Sequence, residues 1–255
     1  MSGNSLILEA RKLKKRFGGV VALDELSFSV KRNTITSLIG PNGAGKTTVF
    51  NLITGCLWPD SGILVYRDRS LKGEKPHKIA AMGIGRTFQN VQIFADMTVL
   101  ENVMVGRHLR SKAGITVSAL LPSFMRPEEK RIIEDARQWL DFLGLEEASD
   151  MTAGALPLGK QRMLEIARAL AMEPELLLLD EPASGLNSRE TIAMGELIGR
   201  IRDKAITVIL VEHDMELVME ISDRVAVMNF GRLIAEGTPR EVQEDPEVIS
   251  AYLGE

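Results

Sequence analysis

The stretch that most constrains this chain is Gly40-Pro41-Asn42-Gly43-Ala44-Gly45-Lys46-Thr47. It follows the apolar run Ile35-Thr36-Ser37-Leu38-Ile39 and leads into Thr48-Val49-Phe50-Asn51-Leu52-Ile53. The pattern is G-x-x-x-x-G-K-[ST], with a strand in front and a helix behind. Glycines let successive backbone N–H groups curl around phosphate oxygens, and the helix N-terminus adds positive potential. Lys46 brings a point charge to the terminal phosphates, and Thr47 a hydroxyl for Mg²⁺. The competing reading is a glycine turn that binds nothing, and the strand–helix context weighs against it.

Two further apolar runs supply the rest of a phosphate site. Leu176-Leu177-Leu178-Leu179 ends in Asp180-Glu181-Pro182, and Ile206-Thr207-Val208-Ile209-Leu210-Val211 ends in Glu212-His213-Asp214. Such runs read as parallel strands covered on both faces. Their carboxyl ends place Asp180, Glu181 and His213 on the sheet edge that holds the phosphate loop. Asp180 is expected to hold Mg²⁺ through water, and Glu181 to orient or deprotonate an attacking water. The rival reading makes the two acids caps for the next turn. A metal site at Glu212-His213-Asp214 fails for want of a second cluster, since the three histidines are scattered.

Short β-rich segments open the chain at Leu6 to Ala10, Val20 to Leu23, Leu26 to Val30 and Ile63 to Tyr66. From Asn90 to Ala155 the texture turns helical, as in Glu128 to Leu143, and Val225 to Met228 with Leu233 to Ala235 finish the sheet. The order predicts an α/β core interrupted by an inserted α-helical subdomain; with the phosphate-loop pattern it resembles a P-loop NTPase core of mainly parallel sheet with an N-terminal antiparallel β subdomain. One domain is expected over 1–255, with the core and β subdomain at 6–89 and 156–240, the helical subdomain at 90–155 and a C-terminal tail at 241–255. A net charge of −4 and 5% aromatic residues argue against a nucleic-acid surface. No apolar run reaches the ~18–20 residues of a membrane span, and no signal peptide is seen, so attachment to a membrane is expected only through a partner. The one cysteine, Cys56, excludes a disulfide framework and reads as a small buried filler.

Together these residues resemble the nucleotide-binding subunit of an ATP-binding cassette transporter, from Phe17 to the C-terminus. The resemblance implies ATP and Mg²⁺ as ligands, with Gly40, Pro41, Asn42, Gly43, Ala44, Gly45, Lys46, Thr47 and Thr48 around the phosphates. It implies that Phe17, in Arg16-Phe17-Gly18-Gly19, stacks on adenine. Gln89, in Arg86-Thr87-Phe88-Gln89-Asn90, matches the glutamine loop that senses Mg²⁺ and the membrane partner. Glu181 matches the catalytic glutamate and His213 the switch histidine that contacts the γ-phosphate. Ser184-Gly185-Leu186-Asn187 matches the loop after that glutamate, with Asn187 where an aspartate is usual.

Leu156-Pro157-Leu158-Gly159-Lys160-Gln161 falls where the family carries Leu-Ser-Gly-Gly-Gln, a loop that binds the γ-phosphate held by the other cassette of a dimer. Pro157 replaces the serine and Leu158 a glycine. Gly159, the backbone N–H groups and the helix dipole remain, and Lys160 adds a charge. The departure implies weak self-pairing and a different, more conventional cassette as partner. The resemblance also implies two transmembrane permease subunits, an indirect link to a solute-binding protein, and a place on the cytoplasmic face of the membrane. Gly83 to Gln89, Met97 to Val103, Val211 to Met219 and Ala251 to Glu255 are similar to importers of branched-chain amino acids. An importer of urea or short amides, a soluble cassette ATPase and a regulatory module without turnover are the alternatives.

Overall fold

The computed structural model describes residues 5–108 and 126–253. In chain order the strands are β1 (Leu6–Phe17), β2 (Val20–Lys31), β3 (Ile35–Ile39), β4 (Ser61–Tyr66), β5 (Arg69–Ser70), β6 (Ile84–Arg86), β7 (Leu176–Asp180), β8 (Thr207–Val211), β9 (Arg224–Asn229) and β10 (Arg232–Gly237). The helices are α1 (Lys46–Ile53), α2 (Pro76–Ala81), α3 (Val99–His108), α4 (Arg126–Phe142), α5 (Leu158–Leu170), α6 (Ser188–Asp203), α7 (Met215–Ile221), α8 (Pro239–Gln243) and α9 (Pro246–Leu253).

The chain divides into two compact units, Met1–Arg86 with Glu175–Glu255, and Thr87–Pro174. The first holds a six-stranded sheet in the order β10-β9-β3-β8-β7-β6, parallel except for the β10 edge. Every residue of β3, β7 and β8 is buried, as continuous apolar runs covered on both faces require. The same unit holds an antiparallel sheet in the order β2-β1-β4-β5. Its inner residues Ile7, Leu8, Leu26 and Leu64 share one core with Phe50 and Ile53 of α1 and with Leu176, Leu178 and Ile209 of the larger sheet. The opposite face of that sheet buries Ile39, Val225 and Val227 beneath Val218, Val242 and Val248.

Strands β1 and β2 each run for twelve residues, longer than the short segments expected. Polar stretches interrupt the apolar signal without ending the ladder, because register shifts flank Leu13 and both Lys12 and Glu25 take positive φ, 49° and 54°. Cys56 is exposed, contrary to the buried filler expected. It follows the end of α1 in a turn that carries its side chain off the core face.

The second unit packs α3, α4 and α5. Gly106 of α3 meets α5 so closely that a Cβ there would overlap the Arg168 carbonyl oxygen. On α5 the buried Glu165 accepts from the Phe88 and Gln92 N–H groups at 3.1 and 3.4 Å. Arg162 donates to the Gln89 carbonyl oxygen at 2.7 Å. These anchors group Gln89 and α5 with the helical unit, although the expected boundaries of 89 and 156 assigned both to the core. Residues 109–125 of the expected helical subdomain and 254–255 of the expected tail lie outside the described residues. Among the described residues, no helix is long and apolar enough to cross a membrane.

Candidate active site

Three parallel strands deliver the site to one edge of the larger sheet. β3 pairs with β8 (Ser37 opposite Leu210), and β8 with β7 (Asp180 opposite Val211). The loop after β3, the acids closing β7 and the histidine after β8 therefore emerge side by side.

The loop from Gly40 to Gly45 depends on missing side chains. A Cβ on Gly40 (φ 148°) would overlap the Met228 carbonyl oxygen, and one on Gly45 (φ 105°) would come within 2.6 Å of the Ala22 carbonyl oxygen. Helix α1 starts directly from Gly45, with no side chain capping it, so its first-turn N–H groups face the loop. Asn42 and Gly43 are exposed, Pro41 is half-buried and Ala44 is buried. Lys46 is buried and donates through Nζ to the carbonyl oxygens of Gly40 and Pro41 at 2.6 and 3.1 Å. Burial holds its ammonium below the usual lysine range, and the nearby carboxylates of Glu181 and Asp180 oppose that. Thr47 is exposed and Thr48 half-buried at the start of α1.

Asp180 is buried and paired with Arg86, Nη2 to Oδ2 at 3.0 Å. Burial raises its carboxyl above the usual range, and the Arg86 guanidinium pulls it back. Glu181 has a φ of 50°, the left-handed region that non-glycine residues avoid. Its N–H donates to the Val211 carbonyl oxygen at 2.8 Å and its carbonyl oxygen accepts from the Ser184 N–H at 3.1 Å. Its Oε1 lies 3.0 Å from His213 Nε2. A carboxylate and an imidazole in contact at the mouth of a phosphate loop can order and deprotonate a water against a terminal phosphate.

Phe17 closes β1 with its ring about half exposed, and Lys15 Nζ sits 5.6 Å from the ring centroid. In the helical unit, Gln89 is exposed in the segment held by Arg162 and Glu165. Helix α5 begins after Pro157 with no side-chain cap; Leu158 and Lys160 are exposed there and Gly159 is buried. Asn187 caps α6, its Oδ1 accepting from the Arg189 and Glu190 N–H groups, each at 3.1 Å.

The family described as ABC transporter matches residues 23–184. The chain belongs to the ATP-binding cassette transporter family. A second family, described as branched-chain amino acid ATP-binding cassette transporter, matches this cassette at residues 232–255. The cassette is 47% identical over 252 residues to the high-affinity branched-chain amino acid transport ATP-binding protein LivG of Escherichia coli, covering 98% of each chain. It is 44% identical over 250 residues to the corresponding protein BraF of Pseudomonas aeruginosa, again covering 98% of each. Among solved structures it resembles the ADP conformation of an ATP-binding cassette of an ABC transporter, with a TM-score of 0.86 and 34% identity over 99% of this cassette and 100% of that chain.

Sequence reasoning assigned no role to three side chains that shape this site. Arg86 joins Asp180 to Asn51 of α1, donating to Asn51 Oδ1 at 2.7 Å; its only sequence signal is an arginine closing a buried strand. Tyr252 brings its hydroxyl near the Gly40 N–H, and burial pushes that hydroxyl up to about 12. Nothing in a C-terminal tyrosine announces contact with a loop more than two hundred positions away. The third, Glu212, is a carboxylate directly after a fully buried strand.

Proposed function

We propose that this cassette hydrolyses ATP to drive an importer of branched-chain amino acids, bound to permease subunits at the cytoplasmic face of a membrane. The contact of Glu181 with His213 beside the phosphate loop carries the hydrolytic part of the reading. The match at residues 232–255 and the branched-chain names of its relatives favour that cargo over urea or short amides.

ATP is bound with its phosphates in the Gly40–Thr48 loop, and Lys46 turns from the Gly40 and Pro41 carbonyl oxygens to the β- and γ-phosphates. Phe17 offers its ring face to adenine. Glu181 accepts a proton from, or orients, the attacking water, and His213 contacts the γ-phosphate. Mg²⁺ suits the donors present, since the Thr47 hydroxyl and the Asp180 carboxylate are hard oxygen ligands. Among the described residues there is no cluster of three or more His, Cys, Asp or Glu that would hold a metal alone. Bound there, the ion would neutralise charge on the phosphates. Gln89 takes the glutamine-loop role toward that ion and the permease. Leu158, Gly159 and Lys160 face the nucleotide of a second cassette, a different chain in the working complex.

Reconstituting the cassette with its permeases, a second cassette and the binding protein in vesicles tests this reading. ATP-dependent uptake of labelled leucine is expected and is lost with Glu181→Gln. Uptake of urea or acetamide in place of leucine would reject the cargo, and phosphate release by Glu181→Gln at the wild-type rate would reject the base.

A further inference from the structure

We infer that Glu212 is the positioning residue that holds the Glu181–His213 pair together. It rests on the roles proposed above for that pair.

Glu212 follows the last residue of β8 and is only 3% exposed. One oxygen, Oε1, accepts from the Ala183 N–H at 2.7 Å, in the loop just after Glu181. The other, Oε2, accepts from the N–H of His213 at 2.9 Å. The Asp214 backbone N–H lies near the same carboxylate and helps to pull its pKa down. A single buried side chain thus ties the loop that carries Glu181 to the loop that carries His213.

The chemistry of the clamp is specific. Both hydrogen-bond partners are backbone donors, and a carboxylate offers only acceptors, whereas an amide would turn an NH₂ toward one of them. A buried carboxyl group is costly unless its lone pairs are met, and here burial raises it while the backbone N–H groups and the nearby charge of Glu181 pull in opposite directions. The residue clamped at one end also needs holding. Glu181 sits at φ 50°, a conformation that persists only where surrounding bonds over-determine it. Ala183, two residues on, is one of those bonds. At the other end Asp214 caps α7 through the Leu217 N–H at 3.0 Å, so Glu212, His213 and Asp214 respectively clamp, react and anchor.

The test uses the full chain. Glu212→Gln is expected to lower kcat for phosphate release by about tenfold to about a hundredfold, the scale of an ångström-sized misplacement of reacting groups, with ATP affinity and KM unchanged. Glu212→Asp, whose shorter side chain keeps the charge but cannot span both loops, is expected to recover only part of that loss. In the unmodified chain the Ala183 and His213 amide protons should resonate downfield and exchange slowly, an observation independent of how any variant folds. Fast exchange at Ala183 overturns the inference, as does a joint loss of melting temperature and ATP affinity in Glu212→Gln and full recovery in Glu212→Asp. Glu181→Gln is assayed alongside. If it arrests hydrolysis while Glu212→Gln turns over normally, this inference fails alone. If Glu181→Gln itself turns over normally, the reading of the pair fails and takes the inference with it.

Discussion

Lys46 spends its charge on two backbone carbonyl oxygens of its own loop, and in the proposed function phosphate oxygens replace those bonds. Lys46→Ala is therefore expected to abolish ATP binding while leaving the fold intact, which equilibrium binding of labelled ATP would read directly. Arg86 presents a different case. Its guanidinium and the Asp180 carboxylate are 8% and 3% exposed, and breaking a buried pair from one side costs about 3–5 kcal/mol. A buried acid with a raised pKa binds more protons folded than unfolded, so its ionisation destabilises the fold as pH rises from the unfolded to the folded pKa. Removing the guanidinium raises Asp180 further. Arg86→Met should therefore lose most stability above that raised pKa and least in acid, where Asp180 is protonated; urea unfolding across a pH series measures it. Lys46 was legible because its pattern is local. Arg86 and Glu212 were not, because their meaning lies in partners 94 and 29 positions away along the chain.

Helix α5 shows how one element serves two loops of the helical unit. Its first turn, Leu158 to Lys160, lacks a capping side chain, while Arg162 and Glu165 further along hold the segment around Gln89. Replacing Pro157 by serine and Leu158 by glycine in a Glu181→Gln background should restore a hydroxyl donor and an exposed N–H, each worth about 1.5–3 kcal/mol against a phosphate oxygen. ATP-driven self-association should rise, and sedimentation with and without ATP tests it; unchanged association would mean that α5 does not meet a second cassette's nucleotide. The contact of α3 with α5 is stricter. Gly106→Ala would drive a methyl group into the Arg168 carbonyl oxygen, and a loss of about 1–3 kcal/mol is expected from overpacking of this kind, visible as a lower melting temperature. The apolar runs of β7 and β8 announced themselves through continuous burial. The lengths of β1 and β2 did not, since bulges at Lys12 and Glu25 place polar residues inside an unbroken ladder.

At the level of the whole molecule, the proposed phosphate loop, Asp180, Glu181 and His213 lie in one compact unit, and Gln89 and the first turn of α5, residues 158–160, lie in the other. The helical unit is the expected seat of the permease; crosslinks confined to the N-terminal strands would refute that. The boundaries of these units were the least legible feature, because they depend on packing of α5 against α3, which leaves no local mark at residue 156. Cys56 has a practical bearing on the question of partners. It is the chain's one thiol, and it lies exposed at the end of the helix that the phosphate loop opens. A nitroxide can be attached there without removing other cysteines. Two copies brought together by ATP would give a single spin–spin distance, and a copy paired with an unlabelled, different cassette would give none.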